Sequence, residues 1–163
     1  MTPRISVGER VPQATLGCIV DGELQSVQLH DYIAARRVAL VGVPGAFTPV
    51  CSCEHIPDLI ASAPQLRRSG INETIVVVPN SPWAVDAWAR EVDPMGRLTF
   101  LSDGNLVFAR ALGVAMSFPD LMLGDTSARY LMVVERGVVL RLNIEKQINH
   151  LACTRGRDAL MLE

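Results

Sequence analysis

Between Val38 and Ile60 the chain reads VALVGVPGAFTPVCSCEHIPDLI. Val38 to Val43 is an apolar run with the length and branched side chains of a buried strand. Pro44 and Gly45 then turn the chain, and it restarts as a helix. Thr48 is a good N-cap, and Pro49 suits the first helical position, where a missing N–H costs nothing. This count puts Cys51 in the first helical turn, among unpaired backbone N–H groups at the positive end of the dipole, where an anionic sulfur is favoured. Cys51 is thus a candidate nucleophile; the competing reading of a cysteine there is a small buried hydrophobe.

The elements around this unit set the fold class. An alternating stretch from Ala14 to Val20, the turn pair Asp21-Gly22 and a return over Glu23 to Leu29 predict a β-hairpin. His30 to Arg37 reads as a short helix before the Val38 strand. The Cys51 helix repeats Ile56, Leu59, Ile60, Ala63 and Leu66 at helical spacing, with a kink or break expected near Pro64 and an end at Ser69-Gly70. Thr74 to Val78 and Leu98 to Leu101 read as strands, and residues 82–91 and 105–112 as helices. Residues 116–128 read as loop. Tyr130 to Val134 and Val138 to Ile144 flank a three-residue hairpin loop, Glu135-Arg136-Gly137, and Thr154 to Leu162 reads as a last helix. Strand and helix alternate through the middle and a hairpin closes the chain. That pattern predicts one α/β domain over residues 1–163, with a central mixed sheet flanked by helices.

Composition narrows the partners. A net charge of −2 gives no electrostatic reason to expect nucleic acid or an anionic membrane, and 5% aromatic residues are too few for a base-stacking surface. The longest apolar runs end at prolines and are too short to span a bilayer. The N-terminal residues lack an apolar signal region. Four cysteines among 163 residues are not a disulfide framework, and they fit reduced thiols in a cytoplasmic setting.

Glycine-rich nucleotide loops, serine elbows and zinc-protease helices are absent, so cysteine is the remaining candidate for chemistry. Cys51, Cys53 and His55 form C-x-C-x-H, which invites a metal. On a helix, however, residues two apart lie about 200° round the axis, so Cys53 points away from Cys51. Only Cys51 and His55 share a face. With no second cluster the ligand count falls short of a structural zinc site, and neither metal nor cofactor is expected. Cys53 reads as a passenger thiol and Cys18 as a packing residue of the hairpin.

PGAFTPVCS resembles the active-site signature of the peroxiredoxins, P-x-x-x-T/S-x-x-C, filled by Pro44, Thr48 and Cys51. The longer string VGVPGAFTPVCSCEHIP is similar to the type 5 (type II) subfamily. VPNSPWAVDAWA, FLSDGNLVFARALG and SARYLMVVERGVVLRLNIE extend the likeness over most of residues 5–155. The resemblance implies a thioredoxin-like fold and reduction of hydrogen peroxide and alkyl hydroperoxides. It makes Cys51 the peroxidatic cysteine, with Thr48 hydrogen-bonding thiolate and peroxide, Pro44 shielding the pocket and Arg129 as the active-site arginine. Trp88 and His55 match positions near the pocket and are read as supporting the site residues from behind or as packing residues. NIEKQINHLACT aligns with the segment in which animal-type members carry a resolving cysteine, which marks Cys153. Asp58 stands where members usually have glycine. The family also implies a homodimer, recycled by thioredoxin or by glutaredoxin and glutathione.

The chemistry accounts for this residue set. Attack on an O–O bond needs a thiolate, and lowering a thiol pKa from about 8.5 to about 6 raises the thiolate share only about thirtyfold at neutral pH. Most of a fast peroxidase's rate must therefore come from holding the peroxide in line and stabilising charge on the leaving oxygen. A peroxide-sensing relay that passes disulfides to a partner, and a non-catalytic thioredoxin-fold binding domain, are the alternatives.

Overall fold

A computed structural model describes residues 4–160 of the chain. In chain order the elements are β1 (Thr15–Val20), β2 (Glu23–Gln28), α1 (Leu29–Ile33), β3 (Arg37–Gly42), α2 (Ile56–Arg68), β4 (Glu73–Val78), α3 (Pro82–Val92), β5 (Thr99–Ser102), α4 (Val107–Leu112), β6 (Ala115–Phe118), β7 (Gly124–Ser127), β8 (Tyr130–Glu135) and β9 (Val138–Ile144). Seven strands make a mixed sheet in the order β2-β1-β5-β4-β3-β8-β9, and β6 and β7 form a separate hairpin. Strands β3, β4 and β5 run parallel, while β8 joins β3 antiparallel and β9 joins β8 antiparallel. No helix among the described residues is long and apolar enough to cross a membrane.

The alternation of β3 builds the two faces. Val38 and Leu40 face the layer of α1 and α4, packing with Leu29, Ile33, Phe108 and Leu112. Ala39, Val41 and Val43 face the layer of α2 and α3, packing with Leu59, Leu66, Val85 and Trp88. Val38, Leu40 and Val41 are fully buried, and each such side chain contributes about 1.5–3 kcal/mol. Gly42, at the end of β3, is where Tyr130 of β8 lies flat against the strand: a Cβ there would fall 1.9 Å from Tyr130 Cε2.

Several local expectations are corrected. α1 ends at Ile33 instead of reaching Arg37, because Arg37 already pairs with Glu135 in the sheet. Helix α2 runs through Pro64 without a break. The irregularity lies upstream, where Cys51–His55 is a π-helical turn closed by the Ile56 N–H on the Cys51 carbonyl, five residues back. Pro57 explains it: its ring would press on the Cys53 carbonyl four residues earlier, and widening the turn moves that carbonyl away. Residues 115–127 are the β6–β7 hairpin with a short 3₁₀ turn at Pro119–Leu121, not loop. The β8–β9 connection has two residues, since Glu135 pairs with Val138; Arg136 and Gly137 both take positive φ, as a type I′ turn requires. The C-terminal segment is a 3₁₀ helix at Gly156–Leu160; Thr154 and Arg155, expected in the helix, are not helical, and residues 161–162 lie outside the described residues.

Candidate active site

Strand order and register bring the site together. Tyr130 pairs with Gly42, so Arg129, one residue before β8, stands beside the end of β3, where the chain leaves for the Cys51 helix. Tyr130 also pairs with Ile144, so Glu145 follows β9 out at the same edge, and its N–H donates to the Arg129 carbonyl at 2.9 Å. Three segments distant in sequence thus meet at one end of the sheet.

The turn before the helix is pinned from two sides. Ala46 N–H donates to Asn80 Oδ1 at 2.9 Å, and the Thr126 hydroxyl donates to the Pro44 carbonyl. Phe47 takes a left-handed φ of 62°, unusual outside glycine, and is half exposed. Ser52 N–H donates to the Thr48 carbonyl at 2.9 Å as the first bond of the helix, so the N–H groups of Val50 and Cys51 lie ahead of the ladder. The Thr48 side chain accepts no capping bond among the described residues. Its one hydroxyl hydrogen goes back to the Gly45 carbonyl at 2.7 Å, which leaves the oxygen's lone pairs available.

Cys51 is fully buried, its sulfur packed with the core of the α2–α3 layer. Arg129, 2% exposed, reaches it: Nη2 lies 3.3 Å from Sγ. The guanidinium is held on all sides. Nε and Nη2 donate to the Ile148 carbonyl at 2.9 and 2.7 Å, and Nη1 donates to His55 Nδ1 at 2.7 Å. Because Arg129 can only donate, His55 Nδ1 is the acceptor and Nε2 carries the hydrogen, given to the Thr154 carbonyl at 2.8 Å. Burial, and after it the charge of Arg129, pushes the His55 imidazole down to about 4, so it is neutral beside the arginine.

A pocket of about 310 Å³ opens onto this cluster, walled by Pro44, Thr48, Val50, Leu121, Ile148 and Arg129. Its surface is mostly apolar, with the guanidinium and the Thr48 hydroxyl as polar features. That arrangement can exclude bulk water, hold a small polar group at Arg129 and Thr48, and stabilise negative charge next to sulfur. Of the predicted site residues, Pro44, Thr48, Cys51 and Arg129 are brought together here. Cys153 sits on the loop after β9, half-buried, its S–H directed at the Ile144 carbonyl at 3.6 Å; all four cysteines are free thiols. Burial, then the Glu145 carboxylate, pushes the Cys153 thiol up. Cys53 is exposed, two residues on from the fully buried Cys51, and Cys18 packs against the α1–α4 core. Trp88 is buried and its indole N–H donates to Ser52 Oγ at 2.9 Å, tying α3 to the π-helical turn.

Sequence reasoning missed the acceptors that fix Arg129. The backbone carbonyl of Ile148, and that of Thr154 which holds His55, leave no residue-type signal, and His55 was placed near the pocket without its bond to Arg129. Asp58 takes a structural part: its carboxylate accepts from Gly156 N–H at 2.7 Å and faces Arg155 at 3.7 Å, fastening the C-terminal segment to α2.

The neutrality of His55 has a measurable consequence. In the unfolded chain an imidazole takes up a proton near pH 6.5, whereas the buried ring resists until about 4, so stability falls as pH drops through this window. Relative to a His55→Gln variant, the wild type is expected to lose about 1.2 kcal/mol between pH 6 and 5 in urea unfolding. Parallel pH profiles of the two proteins would refute a neutral His55.

Comparison with known proteins agrees with the geometry. The family model described as Redoxin matches residues 6–156. Peroxiredoxin-2C of Oryza sativa subsp. japonica is 37% identical over 144 residues, covering 87% of this chain and 88% of the relative. From the same plant, Peroxiredoxin-2E-2, chloroplastic, is 40% identical over 148 residues, which cover 87% of this chain and 65% of that longer protein. Among solved structures, reduced Prx3 in complex with H2O2 from Vibrio vulnificus superposes with a TM-score of 0.89 at 31% identity, over 96% of this chain and 97% of that one.

Proposed function

The chain belongs to the peroxiredoxins, thiol peroxidases of thioredoxin-like fold, and from that premise we propose that Cys51 is its peroxidatic cysteine, with Arg129, Thr48 and Pro44 forming the peroxide site. The observation that carries the reading is the 3.3 Å approach of Arg129 Nη2 to a fully buried Cys51 Sγ beside a mostly apolar pocket. The thiolate attacks one peroxide oxygen; an S–O bond forms as the O–O bond breaks, and the leaving oxygen departs with a proton as water or alcohol. Arg129 faces the charge shared between sulfur and the oxygens, and its anchors on Ile148 and His55 keep it there without reorganisation. With its hydrogen committed to Gly45, the Thr48 oxygen is oriented to accept from the peroxide O–H. Apolar walls of Pro44, Val50, Leu121 and Ile148 suit alkyl hydroperoxides as well as hydrogen peroxide.

The sulfenic acid is then resolved by Cys153, in the atypical two-cysteine manner, and the disulfide is reduced by thioredoxin or by glutaredoxin and glutathione. Support for Cys153 is its place on the loop whose Ile148 and Thr154 carbonyls frame Arg129 and His55. The reading extends to one domain over residues 1–163, acting as a homodimer in the reducing cytoplasm. Exposed apolar side chains, Leu121 on the pocket wall and Phe47 and Met122 next in sequence to wall residues, are the surface a second copy would cover.

One equivalent of hydrogen peroxide followed by non-reducing peptide mapping tests the scheme. Cys51 is expected to be recovered joined to Cys153. An unoxidised Cys51 would overturn the peroxidatic assignment, and Cys51 joined only to glutathione or Cys53 would overturn the resolving one. Turnover with thioredoxin against glutaredoxin plus glutathione then identifies the donor.

A further inference from the structure

Glu145 is the first residue after β9, and its carboxylate, 7% exposed, is turned onto the loop that follows. Oε1 accepts from Ala152 N–H at 3.0 Å, and Oε2 accepts from Cys153 N–H at 2.9 Å and from the Thr154 hydroxyl at 2.7 Å. Three consecutive residues are thus tied to one acidic group. Burial works to raise the Glu145 carboxyl, but these donors outweigh it and hold it below the usual carboxylate range, so it is anionic at neutral pH. The Thr154 carbonyl receives His55 Nε2–H, His55 Nδ1 receives Arg129, and Arg129 reaches Cys51. A chain of hydrogen bonds, buried as far as Glu145, therefore joins the Cys51 sulfur to the backbone of Cys153. The loop is also fixed at both ends, by Arg129 on the Ile148 carbonyl and by Asp58 on Gly156 N–H. Asn143 Nδ2 adds a bond to the Cys153 carbonyl at 2.8 Å.

A disulfide needs its two Cα atoms within about 7 Å and its Cβ vectors converging. Cys153 instead points at the Ile144 carbonyl, and Cys51 is enclosed in the core. The loop must therefore leave its seat before the two sulfurs can meet. We infer that Glu145 is a positioning residue for resolution: it latches the Cys153 loop in the reduced enzyme, and breaking that latch sets the lifetime of the Cys51 sulfenic acid. The inference rests on Cys153 being the partner thiol. In the step itself the Cys153 sulfur attacks Cys51 S–OH. An S–S bond forms, the S–O bond breaks, and the hydroxyl leaves with the thiol proton as water, so no outside oxidant is needed. A tight latch leaves the sulfenic acid open to a second peroxide and to sulfinic acid formation.

Glu145→Gln keeps one acceptor oxygen and turns an NH2 toward loop donors; Glu145→Asp keeps the charge with a shorter reach. After a pulse of hydrogen peroxide, timed alkylation and mass mapping measure oxidation of Cys51 and formation of the Cys51–Cys153 disulfide as separate steps. The ratio of resolution to oxidation is expected to rise about tenfold in Glu145→Gln and less in Glu145→Asp, as loss of one hydrogen bond to a charged group implies. Sulfinic acid at high peroxide is expected to fall in step. A second arm is independent of resolution: with Cys18, Cys51 and Cys53 replaced by serine, the rate at which N-ethylmaleimide modifies Cys153 is read at the upper plateau of its pH profile, where the effect of the Glu145 charge on ionisation no longer enters, and should be about tenfold higher in Glu145→Gln. Unchanged modification of Cys153 in both Glu145 variants, or a wild-type disulfide that forms at the same rate in all three proteins, overturns the latch. Faster modification with no Cys51–Cys153 disulfide in any protein supports the latch and removes the resolving role from Cys153 instead.

Discussion

Cys51→Ser is expected to lower the second-order rate of peroxide consumption by more than about a thousandfold. A hydroxyl in the same place is not ionised near neutral pH and lacks the nucleophilicity of sulfur toward an O–O bond, so Arg129 has no anion to assist. The neighbouring thiol cannot substitute. Cys53 is two residues on from the fully buried Cys51 and exposed, so a peroxide meeting it finds neither the guanidinium nor the Thr48 oxygen. Cys53→Ser is accordingly expected to consume peroxide at the wild-type rate. Stopped-flow mixing with hydrogen peroxide, read by tryptophan fluorescence, checks both: buried Trp88 is bonded to Ser52 in the turn that carries Cys51 and should report its oxidation. A Cys51→Ser protein as fast as wild type would refute the assignment, and a slow Cys53→Ser would move the chemistry toward the exposed thiol.

Arg129→Met is expected to cost about a hundred- to a thousandfold in the same rate, the range found when a charge-stabilising donor is removed from an enclosed site. Arg129→Lys should recover little of it. A single ammonium cannot span the Ile148 carbonyl, His55 Nδ1 and Cys51 Sγ, which the guanidinium reaches at once with Nε, Nη1 and Nη2. Both variants leave acceptors unpaired in a buried place, with an expected stability loss of about 1–3 kcal/mol per group. Stability and rate must therefore be measured together. A folded Arg129→Met that retains the rate within about threefold would eliminate electrostatic assistance as the main source of speed.

Much of the fold was legible because most elements bury one face. The β1–β2 hairpin advertises itself by alternation, the stripe on α2 by helical spacing, and β3, buried on both faces, by a continuous apolar run. The β6–β7 hairpin did not: all of β6 and half of β7 are poorly buried, so no periodic apolar pattern marks them, while Pro119 and Asp125 suggest loop. The π-helical turn was illegible for another reason. A proline such as Pro57 disturbs the turn before it, but whether a helix kinks, breaks or widens there depends on what packs around it. Thr48 had the composition of a cap, yet its hydroxyl hydrogen is turned to Gly45, a choice set by the Phe47 backbone and by the anchors from Asn80 and Thr126.

The sequence by itself determined the strand–turn–helix that carries Cys51, the opposite aspects of Cys51 and Cys53, and the α/β class, because these follow from local periodicity and capping. Only the tertiary structure decided what Cys51 faces. Arg129 lies 78 positions away in sequence and arrives by the pairing of Gly42 with Tyr130; Glu145 arrives by the pairing of Tyr130 with Ile144. Strand register is a property of the whole sheet, fixed by which faces are buried, and a shift of one residue would turn Arg129 away from the sulfur.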